Sequence, residues 1–371
     1  MGATLCGELA GASFRFETDS RELADYAGHH LAPLRVDLQP TPAVTASLRW
    51  HEGQPEPRAR MASDLNRCSR VDRDLYVGDG CLYWFRVDDL RDLQIRARWH
   101  ADQLEVEGDF YFRIGNGGWQ DRLRKVLSPA QAATLRLRRF TTLLYYLIYY
   151  PCWWWLEQMR DLHPVHAAGV QLNDKVILLA GASGVGKSTL AVALAAHPGA
   201  RFLSDSFVLQ SGDDVCAVPE PVLLDAWSRT WLGTAGEQLE RVDYPYVLGR
   251  SGYQFPRSRT VAGGRAGLLV FPRRAPEPYV RRLSPDQAHQ RLSAADMIIN
   301  DLRRYYAFAA VFEQLAAGGL VAHREANIAK LTTDIPSYDV GLTATATRDG
   351  VIESITDLLS GQHLRVVAQR P

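Results

Sequence analysis

The sequence predicts an α/β P-loop domain over residues 161–371. A mostly β domain precedes it over 1–135, and an aromatic helical segment over 136–160 joins the two. Three observations carry this prediction. Period-two alternation recurs through the first 135 residues. The apolar run Val176-Ile177-Leu178-Leu179-Ala180 ends in a glycine-rich loop. A helical-period stretch follows that loop from Lys187 to about Ala196. At 371 residues the chain is too long for one ordinary core, so two domains are expected.

The elements follow in order. Ser13–Phe16, Ala46–Trp50, Leu82–Val87, Gln94–Trp99 and Leu104–Ile114 alternate as half-buried strands do, and Gly115-Asn116-Gly117-Gly118 reads as a turn. No motif in this half points to chemistry. His29, His30, His51 and His100 are read as surface or core residues rather than metal ligands. Phe140–Leu156 carries no charge and is about the length of a short membrane span. Tyr and Trp dominate it, Pro151 interrupts it, and Arg138, Arg139 and Glu157 flank it, so a buried helix packing the two halves together is expected, without stable membrane insertion. Val165–Leu172 is extended, and Asn173-Asp174 fits a two-residue hairpin turn. Lys175 opens a strand whose unbroken apolar run suits burial on both faces. The helix after the loop pairs Leu190 with Leu194 and stops near Pro198-Gly199. Arg201–Leu209 and Ala266–Phe271 read as strands, and helices are expected at about 285–298, 301–318 and 348–360.

Composition narrows the function classes. With 42 basic and 42 acidic residues the formal net charge is zero, so no global field draws nucleic acid or an anionic membrane. The five cysteines are scattered without a C-x-x-C pair, which suggests neither a zinc site nor a disulfide framework. Met1–Cys6 fits neither a signal peptide nor a myristoylation site, and a cytoplasmic location is expected.

The strongest motif is Gly181-Ala182-Ser183-Gly184-Val185-Gly186-Lys187-Ser188, with Thr189 next to it. The spacing of Gly181, Gly186, Lys187 and Ser188 is that of a phosphate-binding loop between strand and helix. Its glycines let backbone N–H groups turn toward phosphate oxygens, and the helix N-terminus adds partial positive charge. Lys187 would reach the β and γ phosphates of ATP, and the Ser188 hydroxyl would hold Mg2+. The chain has only four lysines, so the placement of one here is specific. If Asn173-Asp174 is the hairpin turn, paired positions sum to 347 and His166 falls opposite Gly181, beside the phosphates. Asp205 lies within an apolar strand, where a carboxylate is costly without a task. In a βαβ unit that strand adjoins the loop strand. Asp205 would then hold magnesium or accept a proton from an attacking hydroxyl.

His166-Ala167-Ala168-Gly169-Val170, the loop, and Leu203-Ser204-Asp205-Ser206 together resemble the catalytic domain of the HPr kinase/phosphorylase superfamily. The chain is more similar to the HPr-kinase-related proteins of bacterial biosynthetic clusters, including those that phosphorylate lasso-peptide precursors. Ala266–Phe271 resembles a family strand, and Ile335–Val340 resembles the stretch before the family's last helix. The resemblance covers about residues 160–360 and implies a phosphoenolpyruvate-carboxykinase-like P-loop fold. It implies that Asp205 is the catalytic base, that His166 lies near the phosphates, and that a homo-oligomer is possible. The chain departs from the bifunctional enzymes in having Ser206 for their second aspartate and Thr189 for a glutamate. Gly263–Leu268 is a faint echo of their second, glycine-rich signature. These departures argue against phosphorolysis and against HPr as the acceptor.

A moving phosphoryl group needs positive charge, and Arg250, Arg257, Arg259 and Arg265 are candidates, with Arg250 favoured by its glycine- and serine-rich surroundings. The expected function is transfer of the γ-phosphoryl group of ATP to a hydroxyl, either serine of a peptide or small protein or a small-molecule alcohol. The same residues also suit an NTP-driven switch or assembly protein that hydrolyses without an acceptor. A degenerate binding module is disfavoured by the intact Lys187, Ser188 and Asp205.

Overall fold

A computed structural model describes residues 2–37, 41–53, 65–87, 90–112, 129–242, 244, 250–316, 320–343 and 345–361. The turn expected at 115–118 and Gly249 lie outside them. The protein is a mixed α/β chain with sheets of eight, nine and three strands among the described residues. It divides into two compact units, one of Met1–Arg160 with Arg304–Gly318, the other of Asp161–Arg303 with Gly319–Pro371.

The first unit is built on one sheet. Its strands are β1 (Ala3–Leu9), β2 (Ala12–Thr18), β3 (Val44–Glu52), β4 (Ser69–Asp72), β5 (Leu75–Gly78), β6 (Cys81–Val87), β7 (Leu90–His100) and β8 (Gln103–Phe112). Their order is β1-β2-β3-β8-β7-β6-β5-β4, with β3 parallel to both β2 and β8. Alternation does here what the sequence suggests: Phe14 and Phe16, then Val44, Ala46 and Leu48, then Leu104 and Val106 point inward. Helix α1 (Arg21–His30) starts at Ser20, whose hydroxyl accepts from Leu23 N.

The aromatic segment forms α2 (Pro129–Leu144), a π-turn (Tyr145–Tyr149) and α3 (Tyr150–Arg160). Pro151 does not end the helix. It has no N–H, and its ring crowds the carbonyl four residues back, so the preceding turn widens and Tyr150 N donates to Tyr145 O. Trp153, Trp154, Tyr146, Tyr149 and Tyr150 are fully buried, and all but Tyr149 meet Tyr305, Phe308 or Phe312 of the returning segment. The expected connector is thus part of the first unit's own core. Among the described residues no helix is long and apolar enough to cross a membrane.

The second unit holds β9 (His163–Val165), β10 (Ala167–Leu172), β11 (Lys175–Ala180), α4 (Lys187–Ala195), β12 (Arg201–Ser204), β13 (Val208–Ser211), β14 (Asp214–Ala217), β15 (Val222–Leu224), α5 (Ala226–Leu232), β16 (Glu240–Arg241), β17 (Ser251–Gln254), β18 (Gly263–Arg274), β19 (Tyr279–Arg282), α6 (Pro285–Ile298), the start of α7 (Asn300–Phe312), α8 (Leu320–Asp334), β20 (Ser337–Leu342) and α9 (Arg348–Leu359). Helix α8 was not foreseen, and most of α7 goes with the first unit.

Strands β10 and β11 form the expected hairpin. Asn173 and Asp174 both have φ near +55°, at 50° and 60°, as a type I′ turn requires, and Leu172 faces Lys175. The loop strand is buried on both faces. Ile177 and Leu179 pack with α4 and α9, while Val176, Leu178 and Ala180 pack with α6 and α8. Two expectations fail. The strand bearing Asp205 does not adjoin the loop strand, because the hairpin partner β10 takes that place and β12 pairs antiparallel with β10. The loop strand's parallel neighbour is β18. Nor is Arg201–Leu209 one strand: pairing stops at Ser204, Asp205–Phe207 turn, and β13 resumes. The Ser204 hydroxyl accepts from Val218 N at 2.9 Å and donates to Val218 O at 2.7 Å, tying the break to the next segment.

Candidate active site

Two breaks in one ladder organise the site. Gly169 faces Ser204 and Val165 faces Val208, both pairs summing to 373, so the two antiparallel pairings share a register across the gap, and only beyond Gly169 does a bulge shift β10 against β12 by one. Between those pairs the hydrogen bonding lapses. His166 is the residue between β9 and β10, and Asp205 lies between β12 and β13. The register sets His166 opposite Phe207, and their rings lie 5.3 Å apart. A side chain at such a break escapes the pleat and turns toward the strand ends, where β11 delivers the glycine loop.

That loop has the backbone the motif demands. Gly181, Gly184 and Gly186 have φ of 130°, 82° and 98°, a region closed to most L-residues, and Gly186 caps α4. Ala182, Ser183 and Gly184 are exposed. Lys187 is buried and its Nζ donates to the carbonyls of Gly181 at 2.8 Å and Ala182 at 3.0 Å. Burial pushes this ammonium down to about 8, against the pull of Asp205. The Thr189 hydroxyl turns to Ser228 of α5, 3.1 Å away.

Asp205 is buried and accepts a hydrogen bond from Ser188, while its Oδ1 has no partner among the described residues. Burial pushes its carboxyl up to about 6. The Ser188 hydrogen bond opposes this, the charge of Glu220 adds to it, and Lys187 and Arg250 draw it down. Arg250 is exposed and its charge reaches both Asp205 and Asp225, the N-cap of α5. The other arginine candidates are engaged or remote: Arg259 donates to Ala195 O, Arg265 pairs with Asp213, and Arg257 is exposed on a short turn.

His166 is buried and, the Ser206 backbone aside, its ring nitrogens have no hydrogen-bond partner among the described residues. Burial, and then the charge of Lys187, push its imidazole down to about 3, with the Ser206 backbone opposing, so it is neutral at physiological pH. Its backbone N–H, released by the ladder break, donates to Asp296 Oδ1 at 2.9 Å. Burial pushes Asp296 up to about 7, and its Oδ2 has no partner among the described residues.

Ser188, Lys187, Asp205 and Arg250 therefore share one electrostatic neighbourhood with His166. Sequence reasoning missed Glu220 and Asp296. Glu220 sits between two prolines in a loop and gives no signal. Asp296 was findable, since it falls four residues after Leu292 on the face that Ala288 and Leu292 bury.

A magnesium-bound triphosphate fits these residues. Gly181, Gly184 and Gly186 hold the loop at positive φ, a buried ammonium is parked on carbonyls, and a buried carboxylate oxygen lacks a donor among the described residues. No family model matches the chain, and no curated protein matches it. Among solved structures, the Hpr(Ser) kinase/phosphatase from Coxiella burnetii aligns with 53% of this chain and 89% of its own, at 11% identity and a TM-score of 0.25. That likeness is too slight to carry an argument about chemistry.

Proposed function

We propose that the second unit transfers the γ-phosphoryl group of ATP to a hydroxyl, with Asp205 as the general base. The observation that carries this reading is the buried Asp205 carboxylate, bonded to Ser188 of the loop, pushed up to about 6 and holding one oxygen without a partner among the described residues. A base of that strength is ionised near pH 7 and still takes a proton from an alcohol in the transition state. Ser188 and Asp205 would hold Mg2+, which supplies charge neutralisation at the phosphates.

The chain's own groups divide the remaining work. Lys187 leaves the Gly181 and Ala182 carbonyls for the β and γ oxygens, and its proton is retained more firmly beside that negative charge. The acceptor hydroxyl gives its proton to Asp205 as its oxygen bonds to the γ-phosphorus, and the bond to the bridging oxygen breaks to release ADP. Neutral His166 offers a hydrogen bond rather than charge. Arg250 draws close to the charge that develops on the transferring group. In the competing reading, a switch without an acceptor, Asp205 positions water instead.

Magnesium–ATP turnover decides between them, using wild type and Asp205→Asn with serine peptides and small alcohols. Acceptor-dependent ADP release that falls at least 100-fold in the variant, with ATP still bound, is expected. Acceptor-independent hydrolysis of equal rate in both proteins would overturn the reading.

A further inference from the structure

Asp339 is fully buried on β20, and three guanidinium groups converge on its Oδ2: Arg281 at 2.7 Å, Arg291 at 2.9 Å and Arg273 at 3.9 Å. One arginine neutralises one carboxylate. Three leave two positive charges in excess, on side chains that keep 58%, 61% and 28% of their surface for Arg273, Arg281 and Arg291. Arg274 on β18 and Arg282 on β19, the two strands that flank β20, add exposed positive charge, and Glu277 is exposed in the segment between them. Neutralising Asp339 does not require this surplus, and like charges crowded together favour an anion between them.

The position of the cluster says what the anion belongs to. Pro272 O lies 3.9 Å from where a Cβ on Gly181 would stand, so Arg273 follows immediately on the residue beside the start of the phosphate loop. Arg281 is the cross-strand partner of Asp339. Arg291 lies on α6, five residues before Asp296, which binds the His166 backbone, a rise of about 7.5 Å. The cluster thus flanks the loop on the sheet face that α6 covers, opposite the face that α4 covers.

We infer that Arg273, Arg281 and Arg291 form an anion subsite for the phosphoryl acceptor, which carries a carboxylate or phosphate close to its hydroxyl. This rests on the transferase reading for the word acceptor, and on the arginine geometry alone for the anion. The free hydroxy acid and the acidic peptide share this chemistry.

The test is calorimetric titration of the full chain, with and without magnesium–ADP. Its probes are an end-capped serine peptide flanked by glutamates, its glutamine counterpart, and free glycerate. The acidic peptide or glycerate is expected to bind at least tenfold more tightly than the glutamine peptide, and whichever of the two does so names the source. Arg273→Gln, which leaves Asp339 paired with Arg281 and Arg291, should shrink that ratio to about twofold or less. Arg273→Lys should keep part of it, and Arg257→Gln should leave it intact. Equal binding of all three probes, or a ratio untouched in Arg273→Gln, would overturn the inference, as would a loss confined to ATP affinity. Anion preference without phosphoryl transfer to any probe would leave the subsite standing and remove the transferase reading.

Discussion

The pH dependence of kcat/KM for magnesium–ATP tests the assigned protonation states directly, because it reports groups in the free enzyme. On the proposed reading Asp205 acts ionised as base, and burial and Glu220, which oppose its charge, push its carboxyl up to about 6, far above an ordinary aspartate. Lys187 must be protonated to meet the phosphates, and burial brings it down to about 8. Activity should therefore rise through pH 6, hold a narrow maximum near 7 and fall through pH 8. With these values roughly one Asp205 in eleven is ionised at pH 5, and roughly one Lys187 in eleven is protonated at pH 9, so either limb costs about tenfold. Glu220→Gln removes a charge that raises Asp205, so its acidic limb should move to lower pH while the basic limb stays. The assay is coupled ADP release from pH 4.5 to 9.5 at subsaturating ATP. A flat profile from 4.5 to 7, or an acidic limb that Glu220→Gln moves upward, would refute the assignment of Asp205.

Other consequences follow from the same geometry. Gly186→Ala meets no atom within 4 Å, yet it forces an L-residue to φ of 98°; a loss of about 1–3 kcal/mol in urea unfolding is expected, together with weakened magnesium–ATP binding. Burial holds the Asp296 carboxyl near 7, well above the ordinary aspartate value of about 4, so the fold favours its neutral form and loses stability as pH rises from about 4 to 7. Asp296→Asn keeps the acceptor for His166 N and removes that burden, so it should gain on wild type by on the order of 2–4 kcal/mol between pH 4.5 and pH 8, read from urea midpoints. Trp153→Ala empties a fully buried site between Tyr150 and Tyr305 in the first unit, and should cost about 3–5 kcal/mol by near-ultraviolet circular dichroism on denaturation.

What could be read from the sequence was local. The hairpin register came from two residues, Asn173 and Asp174, because a two-residue turn permits one pairing, and Leu172 does face Lys175. The loop glycines announced themselves because their φ values exclude other residues. Sheet order was not legible. Nothing in Arg201–Ser204 states whether it pairs with β10 or β11, since both neighbours present apolar faces. The packing partners of the aromatic segment were illegible for a related reason: Trp153 and Tyr150 show burial from sequence, but Tyr305 and Phe308, which bury them, return from about 150 residues away. The arginine cluster was invisible because Arg273, Arg281, Arg291 and Asp339 meet only across four elements.

The failure to foresee the split strand bears most on function. A carboxylate inside a continuous ladder points perpendicular to the sheet, into one packed layer or the other, and neither layer is where phosphates arrive. Ending the pairing at Ser204 and resuming it at Val208 leaves Asp205 free of that alternation, beside Ser188. A break in one strand, however, strands donors on its neighbour. Here the neighbour breaks at the same register, and the amide of His166 goes to Asp296. The pair of breaks is then a single device: Ser204 anchors one side through Val218, Asp296 anchors the other through His166, and the two polar groups left between them, Asp205 Oδ1 and the His166 ring, feel the charge of Lys187. Removing either anchor should loosen the site before it unfolds the domain. Ser204→Ala ought to lower kcat while magnesium–ATP affinity at the intact glycine loop is retained, and parallel loss of both would show that the break has no separate role.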